Sequence, residues 1–363
     1  MSKYVEFVCI PDLHLGAFGN IFSDLENPDS LVYEAVQHVV AYARDNGIKT
    51  VIFLGDLFDA PEPTQHQVRD LLVLLLSMHD LDVRIIPGNH DYEHISHNSL
   101  ELADFMVKAG LMPHVKLYMQ PEATTIEGIP FCFFPWPHHS RKKFQLGKDP
   151  SINIAHIEPA GALRDNGSKI EEGVSLKHDG RDYWVIGHLH RKQEMGRVFL
   201  PGTLYQKTFG EPLPKGFLHV KAELRKGRLK VKPKWQAITP PFVLQNIRIE
   251  APEDLRQVLP YSLTERPVLR YKLFVKNNVA LPPTFRVDNP HVVRIDGWKT
   301  KQEAEQLESG NLVLNPATIS ATKELIFGDL GLILKEKGLK KKQRLRAREI
   351  VQRIAADLGL VEV

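Results

Sequence analysis

The sequence has little of what marks secreted and membrane proteins. Only two of its 363 residues are cysteine, Cys9 and Cys132, and both lie in apolar segments. Two thiols cannot build a disulfide framework, so we expect both to be core residues of a protein in a reducing cytoplasm. Glu6 lies where a secretory signal would need an apolar segment, so we also expect no signal peptide.

Long apolar runs and the nucleotide-binding P-loop are missing as well. The longest strongly apolar run covers residues 71–76 and is bounded by Asp70 and by His79 and Asp80. A membrane span needs about 20 apolar residues, so this run predicts a core helix and no membrane association. The pattern Gly-x4-Gly-Lys-Ser/Thr does not occur, which excludes ATP hydrolysis by that route.

Positive charge is concentrated in one segment near the C-terminus. Eight lysines or arginines lie between Lys335 and Glu349, against two glutamates, although the formal net charge of the whole chain is only +3. The rest of the chain is therefore slightly acidic. Two interpretations of the basic segment stay open: a pair of solvated amphipathic helices, or an element that docks onto a partner.

Hydrophobic periodicity predicts an α/β protein. Strands and helices alternate at the start of the chain, which is the order of βαβ units in a parallel sheet. The elements expected in the first domain are strands at 6–10, 51–54, 82–86, 131–134, 151–155 and 183–186, helices at 30–42 and 65–78, and a hairpin at 217–222 and 229–234.

A proline-rich stretch, residues 233–241, predicts a linker out of the first domain. A small α+β domain should follow, and two helical patterns occupy the last fifty residues. The elements expected in the small domain are strands at 242–250, 268–275 and 291–295 and a short helix at 252–259. We therefore divide the chain into residues 1–235, residues 236–310 and a helical, basic tail at 311–363.

Polar side chains follow the predicted strands of the first domain, at the point where each strand ends. They are Asp12, His14, Asp56, Asn89, His90, His156, His188 and His190. Ligands of open α/β sheets bind beyond the carboxyl ends of the strands, so these groups are candidates for one site. Oxygen and imidazole donors without thiolate suit Mn²⁺, Mg²⁺, Fe²⁺ or Zn²⁺ rather than a closed structural zinc site, and their number suits two ions.

Five ordered motifs carry a family resemblance. They are Asp12-Leu13-His14, Gly55-Asp56-Leu57-Phe58-Asp59, Gly88-Asn89-His90-Asp91, His156 and Gly187-His188-Leu189-His190. With these motifs, residues 1 to about 230 resemble the calcineurin-like metallophosphoesterase superfamily. The resemblance implies a β-sandwich flanked by helices, here with a small α+β capping domain and a C-terminal helical tail. Segments at 185–191, 200–205, 209–211 and 215–217 look most like SbcD-type DNA repair nucleases of bacteria or phages.

The resemblance also implies a role for each motif residue. It puts Asp12, His14 and His190 on one metal, Asn89, His156 and His188 on the other, and Asp56 between them. His90 would lie over the scissile phosphate and stabilise or protonate the leaving oxygen, and Asp91 would orient His90 and keep it protonated. Asp59 is either a partner of a ligand or a turn carboxylate. The remaining histidines near the motifs, His94, His97, His138 and His139, are expected on loop surfaces.

The function implied is a two-metal nuclease, with Mn²⁺ as the expected ion, that acts on DNA ends as an exonuclease or also as an endonuclease. The implied partners are DNA, a second copy of the chain and an SbcC-type coiled-coil ATPase bound by the C-terminal helices, in the cytoplasm of a bacterial or phage-infected cell. Two alternatives stay open: an enzyme for small phosphodiesters or phosphoproteins, and a non-catalytic scaffold.

Candidate DNA contacts are Arg141, Lys142 and Lys143 in a loop rich in basic and aromatic residues, together with Arg191. Such a loop can touch phosphates and stack on a base. A solvated loop anchored by Trp136 explains the same composition, so both interpretations stay open.

Overall fold

The computed structural model describes residues 2–94, 97–137, 150–176, 182–260, 262, 265–277 and 279–298, and the structural statements below concern these residues. In chain order, the elements are β1 (Lys3–Ile10), α1 (Ser30–Asp45), β2 (Thr50–Phe53), α2 (Gln65–Ser77), β3 (Asp82–Ile85), β4 (Tyr92–His94), β5 (His97–Asn98), α3 (Glu101–Lys108), β6 (Val115–Leu117), β7 (Glu122–Ile126), β8 (Ile129–Phe134), β9 (Ile152–His156), β10 (Tyr183–Gly187), β11 (Gln193–Met195), β12 (Val198–Leu200), β13 (Gly216–Arg225), β14 (Arg228–Ala237), β15 (Phe242–Ile249), a 3₁₀ helix (Pro252–Gln257), β16 (Val268–Lys276), α4 (Phe285–Asp288) and β17 (Val292–Trp298).

Two six-stranded sheets position the polar strand ends. The first has the order β14-β13-β1-β2-β3-β6, and the second has the order β11-β12-β10-β9-β8-β7. β1, β2, β3 and β6 run parallel, while β13 and β14 continue the first sheet antiparallel beyond β1. In the second sheet β8, β9, β10 and β12 run parallel. Parallel strands bring their carboxyl ends to the same edge of each sheet.

The two sheets pack face to face around a shared apolar layer. Phe7 of β1 contacts Phe131 of β8 edge to face, with ring centroids 5.4 Å apart, and Ile154 of β9 lies in the same buried cluster. On the other face of the first sheet, Val36 of α1 and Leu75 of α2 belong to a second buried cluster. β2 is buried along its whole length because it has a sheet on one side and helices on the other. The predicted β-sandwich flanked by helices is confirmed.

Local sequence explains where α2 begins. Thr64 is the N-cap residue, and its side chain accepts a hydrogen bond from the backbone N–H of Gln67 at 3.3 Å. The side chain of Gln67 accepts the backbone N–H of Thr64 at 2.7 Å, which completes a capping box. Both expected core thiols, Cys9 and Cys132, are buried. No helix in the described part of the chain is long and apolar enough to span a membrane.

The predicted linker at 233–241 is wrong in its first half. Residues 233–237 belong to β14, which pairs with β13 as far as Ala237. Pro233 is tolerated there because β14 is an edge strand, where a missing backbone N–H disturbs the sheet least. The division into three domains stays a prediction, and residues 299–363, including the whole predicted tail, lie outside the described residues.

A three-stranded sheet of order β15-β16-β17 is attached through a buried arginine. The guanidinium of Arg270 is 1% exposed, donates to Asp24 at 2.6 Å and to the carbonyl oxygen of Ile21 at 3.0 Å, and lies 4.4 Å from the ring centre of Phe22. These contacts join β16 to the loop that follows β1.

We expect Asp24→Ala to lower the free energy of unfolding by about 3 kcal/mol, because it leaves a buried guanidinium without its carboxylate. Urea denaturation measures the change. Glu34→Ala is the matched control: its partner Arg266 is 40% exposed, so the loss should stay below about 1 kcal/mol. Equal losses in the two variants would show that burial of Arg270 does not depend on Asp24.

Candidate metal centre

The strand ends of both sheets meet at one place. Asp12 and His14 follow β1, Asp56 follows β2, and Asn89 follows β3. The second sheet contributes three imidazoles: His156 is the last residue of β9, and His188 and His190 follow β10. Asp12, His14, Asp56 and His156 are at most 1% exposed. The structure thus brings together all seven side chains that the sequence proposed as ligands.

Backbone geometry allows this convergence. His14, Asp56 and His188 all have positive φ angles, of 47°, 47° and 90°. Such values are uncommon outside glycine and gather at functional sites, where the surrounding structure holds them in place. A Cβ on Gly88 would overlap the carboxylate of Asp56, and one on Gly187 would overlap the Leu54 carbonyl oxygen. Glycine is therefore required where these loops cross.

One cluster contains Asp12, His14 and His190. Nε2 of His14 lies 3.1 Å from Nε2 of His190, and Nε2 of His190 lies 4.0 Å from Oδ2 of Asp12. Oδ1 of Asp12 is buried without a hydrogen-bond partner in the described structure. A buried, unsatisfied carboxylate oxygen beside two facing imidazole nitrogens is a donor set that fits a divalent cation.

The second cluster contains Asn89, His156 and His188. Oδ1 of Asn89 lies 3.0 Å from Nε2 of His156 and 2.7 Å from Nδ1 of His188. Oδ2 of Asp56 lies 3.3 Å from Nε2 of His156 and 3.8 Å from Nε2 of His14 in the first cluster. Asp56 is therefore in reach of both clusters, which fits two ions that share one carboxylate.

Ionisable groups of the two clusters have pKa values shifted from their usual range. Burial raises the pKa of Asp12 to about 6. Burial would also raise the pKa of Asp56, but His156 and His14 outweigh it and hold that pKa below its usual range. Asp56 in turn raises the pKa of His156 to about 9 against the effect of burial. Metal binding therefore has to displace a proton from this pair.

His90 belongs to the same site without joining either cluster. Its backbone N–H donates to Oδ1 of Asp56 at 2.8 Å, and its Nδ1 lies 2.7 Å from the carbonyl oxygen of Asp59. A carbonyl oxygen only accepts, so Nδ1 carries a proton and Nε2 is the nitrogen available for chemistry. The His90 ring meets the His14 ring edge to face at 4.8 Å.

Asp91 has other partners than the sequence suggested. Its carboxylate accepts the backbone N–H groups of Gly88 at 2.9 Å, Phe58 at 3.0 Å and Leu57 at 3.2 Å. The carbonyl of Asp59, and not the Asp91 carboxylate, orients the His90 imidazole. Asp91 instead joins the loop after β3 to the loop after β2, because its short side chain faces their backbone amides.

Two residues that the sequence analysis did not propose hold His190. Oε1 of Glu211 lies 3.3 Å from Nδ1 of His190, and Oε2 accepts from Nζ of the buried Lys215 at 2.7 Å. Burial would raise the pKa of Glu211, but His190 and Lys215 outweigh it and lower that pKa to about 2. A carboxylate on Nδ1 leaves Nε2 of His190 directed at the cluster.

A third residue, Lys207, was also missed. Its Nζ lies 2.6 Å from Oδ1 of Asp59 and 3.0 Å from Nδ1 of His14. Asp59 is therefore a partner of a ligand rather than a turn carboxylate, since its Oδ1 also lies 3.2 Å from Nδ1 of His14. Glu211 was visible in the sequence only as part of the segment at 209–211, and nothing in the sequence pointed to Lys207.

We expect Glu211→Gln to weaken binding of one metal ion by about tenfold or more, because His190 loses the carboxylate that orients it. Titration calorimetry with Mn²⁺ measures both affinities. Since the variant also leaves the buried ammonium of Lys215 without its carboxylate, Glu211→Gln with Lys215→Met separates the two effects: it should recover stability without recovering metal affinity. Recovery of the affinity in this double variant would mean that Glu211 acts only through the fold.

Three of the four proposed DNA contacts, Arg141, Lys142 and Lys143, lie outside the described residues. His138 and His139 lie outside them as well. Arg191 is described, directly follows His190 and is partly exposed. Two further histidines, His94 and His97, are exposed in the β4 and β5 pair, away from the clusters named above.

Comparisons with known proteins identify the family of the chain and several relatives. The family model described as calcineurin-like phosphoesterase matches residues 5–192. Exonuclease subunit 1 of Enterobacteria phage T4 is 27% identical over 218 residues, which cover 57% of this chain and 61% of that protein. DNA double-strand break repair protein Mre11 of Methanopyrus kandleri is 23% identical over 236 residues, 59% of this chain and 50% of that protein.

Two other proteins are similar. The uncharacterized metallophosphoesterase YhaO of Bacillus subtilis is 22% identical over 240 residues, 60% of this chain and 57% of that protein. A solved structure of vacuolar protein sorting 29 from Cryptosporidium parvum is 13% identical, covers 65% of this chain and all of that chain, and superposes with a TM-score of 0.25. The chain thus spans about half to three fifths of the length of the curated relatives it matches.

The family model covers more than half of the chain, and the family has a dinuclear metal centre of the kind that the two clusters fit. The chain therefore belongs to the calcineurin-like phosphoesterase family.

Proposed function

We propose that this chain is a two-metal nuclease that hydrolyses DNA phosphodiester bonds at DNA ends. The observation that carries the proposal is the position of Asp56, within 3.8 Å of an imidazole nitrogen from each of two ligand clusters. A phosphodiester is a substrate that two adjacent cations accommodate. The names of two relatives, an exonuclease subunit and a DNA double-strand break repair protein, support DNA as the diester.

The ions would be held by the side chains already described: Asp12, His14 and His190 for one, Asn89, His156 and His188 for the other, and Asp56 for both. When bound, two divalent cations neutralise charge on the phosphodiester and lower the pKa of the attacking water. The mixture of oxygen and imidazole donors accepts Mn²⁺, Mg²⁺, Fe²⁺ or Zn²⁺, and Mn²⁺ is the ion that we propose.

The protein itself supplies a proton donor. His90 is fixed at Nδ1 by the Asp59 carbonyl and at its backbone N–H by Asp56, so its ring has little freedom. In this proposal its Nε2 delivers a proton to the DNA oxygen that departs when the P–O bond breaks. Lys207 holds the carboxylate of Asp59, the residue whose carbonyl oxygen contacts His90.

The test is Mn²⁺-dependent digestion of an end-labelled DNA duplex, run beside bis(p-nitrophenyl) phosphate and a phosphopeptide. Release of nucleotides from the duplex end supports the proposal. Hydrolysis of only the small diester or the phosphopeptide would replace DNA by that substrate. No hydrolysis of any of the three by a metal-loaded chain would leave the scaffold interpretation.

We further propose that two copies associate through α2 and α3. Five apolar side chains on or next to these helices are exposed: Val73, Leu76, Leu102, Phe105 and Leu111. They lie in or beside a groove whose rim carries both Arg69 and Glu101, so an identical surface can pair with it. Leu102→Glu with Phe105→Glu should convert a dimer into a monomer in light scattering. Unchanged mass in this variant would place any dimer contact elsewhere.

The ATPase partner and the cytoplasmic location also stay proposals. The predicted tail at 311–363 would dock on a coiled-coil ATPase in a bacterial or phage-infected cell. Deleting residues 311–363 should then abolish capture of that ATPase and leave cleavage of bis(p-nitrophenyl) phosphate unchanged. If the ATPase still binds, the docking site lies elsewhere.

A further inference from the structure

Edge strand β14 presents a regular row of cations. Arg228, Lys230, Lys232 and Lys234 are all exposed, and they alternate with inward-facing residues such as the buried Leu229 and Val231. Alternate residues of a strand point to the same face, about 6.8 Å apart. The four cations therefore form one straight row along one face of the first sheet.

The neighbouring strand adds to this charge. Arg225 lies directly opposite Arg228, and Lys221 lies directly opposite Lys232. Like charges opposite each other destabilise an antiparallel pair. Lys221 is partly compensated by Glu6 at 2.6 Å. We call Lys221, Arg225, Lys226, Arg228, Lys230, Lys232 and Lys234 the basic edge.

Lysines on an edge strand also prevent pairing with other sheets, but that role needs no cations on the inner neighbour. The two like-charge pairs across β13 and β14 therefore call for a further explanation. The basic edge has seven cations against Glu6 and Glu223, in a chain whose formal net charge is only +3. Such a local excess attracts a polyanion.

The row is aligned with the metal centre. β13 runs antiparallel to β1, so Leu218 pairs with Cys9, close to Asp12, while Leu224 pairs with Lys3 at the far edge. Lys234 is therefore nearer the metal edge of the sheet, and Arg228 is at the opposite edge. The row extends about 20 Å away from the site along one strand.

A rigid row of cations fits the backbone of a DNA duplex. Duplex DNA carries one negative charge per about 1.7 Å of helix axis, so a row of cations about 20 Å long lies within reach of several phosphates. We propose that the basic edge binds the phosphate backbone of duplex DNA and holds the duplex alongside the metal centre.

This inference rests on the proposed function. It names a surface that contacts DNA without reading its sequence, because lysines and arginines in a row contact phosphates rather than base edges. Contacts of this kind release counterions, so they make binding strongly dependent on salt. The salt dependence of binding is therefore the property to measure.

The experiment compares two proteins that both carry His90→Ala and are loaded with Mn²⁺, so that the duplex stays intact. The parent has no other change, and the basic-edge variant also carries Lys230→Gln, Lys232→Gln and Lys234→Gln. Fluorescence anisotropy follows a labelled 40-base-pair duplex over a series of salt concentrations. Each lost phosphate contact lowers the magnitude of the slope of log K against log salt by about 0.9, so the loss of three contacts should lower it by about 2.7 and weaken binding by about 500-fold near 0.1 M salt, if the two lines meet near 1 M salt.

Two matched variants separate location from net charge. Lys230→Arg/Lys232→Arg/Lys234→Arg keeps the charge and should bind like the parent. Lys49→Gln/Lys108→Gln/Lys169→Gln removes three exposed cations elsewhere and should keep most of the parent's slope. With His90 intact, the basic-edge variant should hydrolyse bis(p-nitrophenyl) phosphate at the wild-type rate, since no substituted residue lies at the metal centre.

The outcomes distinguish the two proposals. If the parent binds no duplex, DNA is not the substrate, and the proposal that the basic edge binds DNA is wrong as well. If the parent binds and the basic-edge variant binds with the same slope, the basic edge serves another partner, such as an acidic protein, and only this inference is overturned. Equal losses in the two glutamine variants would also overturn it, since net charge alone would then explain them.

Discussion

Asp56→Asn is expected to empty the metal centre at both positions. Oδ2 of Asp56 lies 3.3 Å from Nε2 of His156 and 3.8 Å from Nε2 of His14, so one substitution removes a charged donor from each cluster. The asparagine keeps an oxygen for the His90 backbone N–H, so the loop is preserved. We expect bound Mn²⁺ to fall from two ions to less than one per chain, and hydrolysis of phosphodiesters to fall by about 1,000-fold or more.

Elemental analysis of the purified protein and titration calorimetry measure the metal content. The control is Asp29→Asn, which changes another buried carboxylate that accepts the backbone N–H of Gly16 and lies outside both clusters. That variant should keep both ions even if it loses some stability. Two tightly bound ions in Asp56→Asn would contradict the shared position of Asp56.

His90→Ala should separate catalysis from metal binding. His90 belongs to neither ligand cluster, and its Nδ1 is directed at the Asp59 carbonyl oxygen, so we expect both ions to remain bound. Loss of a general acid lowers the rate by about 100- to 10,000-fold, and we expect DNA cleavage to fall within that range. The loss should be much smaller for bis(p-nitrophenyl) phosphate, because p-nitrophenolate departs without a proton.

The comparison of the two substrates in His90→Ala identifies the role. Equal losses on DNA and on the activated diester would mean that His90 stabilises charge at the phosphate and does not protonate the leaving oxygen. The control is His94→Ala, which removes an exposed imidazole nearby in the sequence and should leave both rates unchanged. Loss of metal in His90→Ala would instead make His90 part of the ligand set.

The strand ends show how much of the site could be predicted from the sequence. Each candidate ligand follows a short apolar run. The run at 51–54 differs from the observed strand by one residue at each end, and the run at 183–186 differs by one residue at its C-terminal end. The prediction works because a strand buried on both faces is apolar along its whole length, and its first polar residues mark its end. Parallel strands then bring those residues to one edge.

The residues that contact those ligands were not predicted correctly from the sequence. Asp91 was expected to orient the His90 imidazole because the family resemblance implied it, yet the two residues lie in a turn where the Asp91 carboxylate faces the backbone N–H groups of Gly88, Leu57 and Phe58. Lys207 and Glu211 contact His14 and His190 across 193 and 21 residues of chain, respectively. No local pattern encodes such contacts, since a lone lysine or glutamate in a loop has the same composition whether it is buried or solvated.

The sequence by itself thus determined the α/β class and the candidate ligands, which follow from apolar periodicity and from polar residues at strand ends, and its ordered motifs carried the family resemblance that implied the sandwich. Only the tertiary structure decided what holds the ligands and where charge accumulates. Glu211 is buried against Lys215, and Arg228 lies opposite Arg225, because strands and loops distant in sequence pack together. Those contacts depend on register and packing, which require the folded chain.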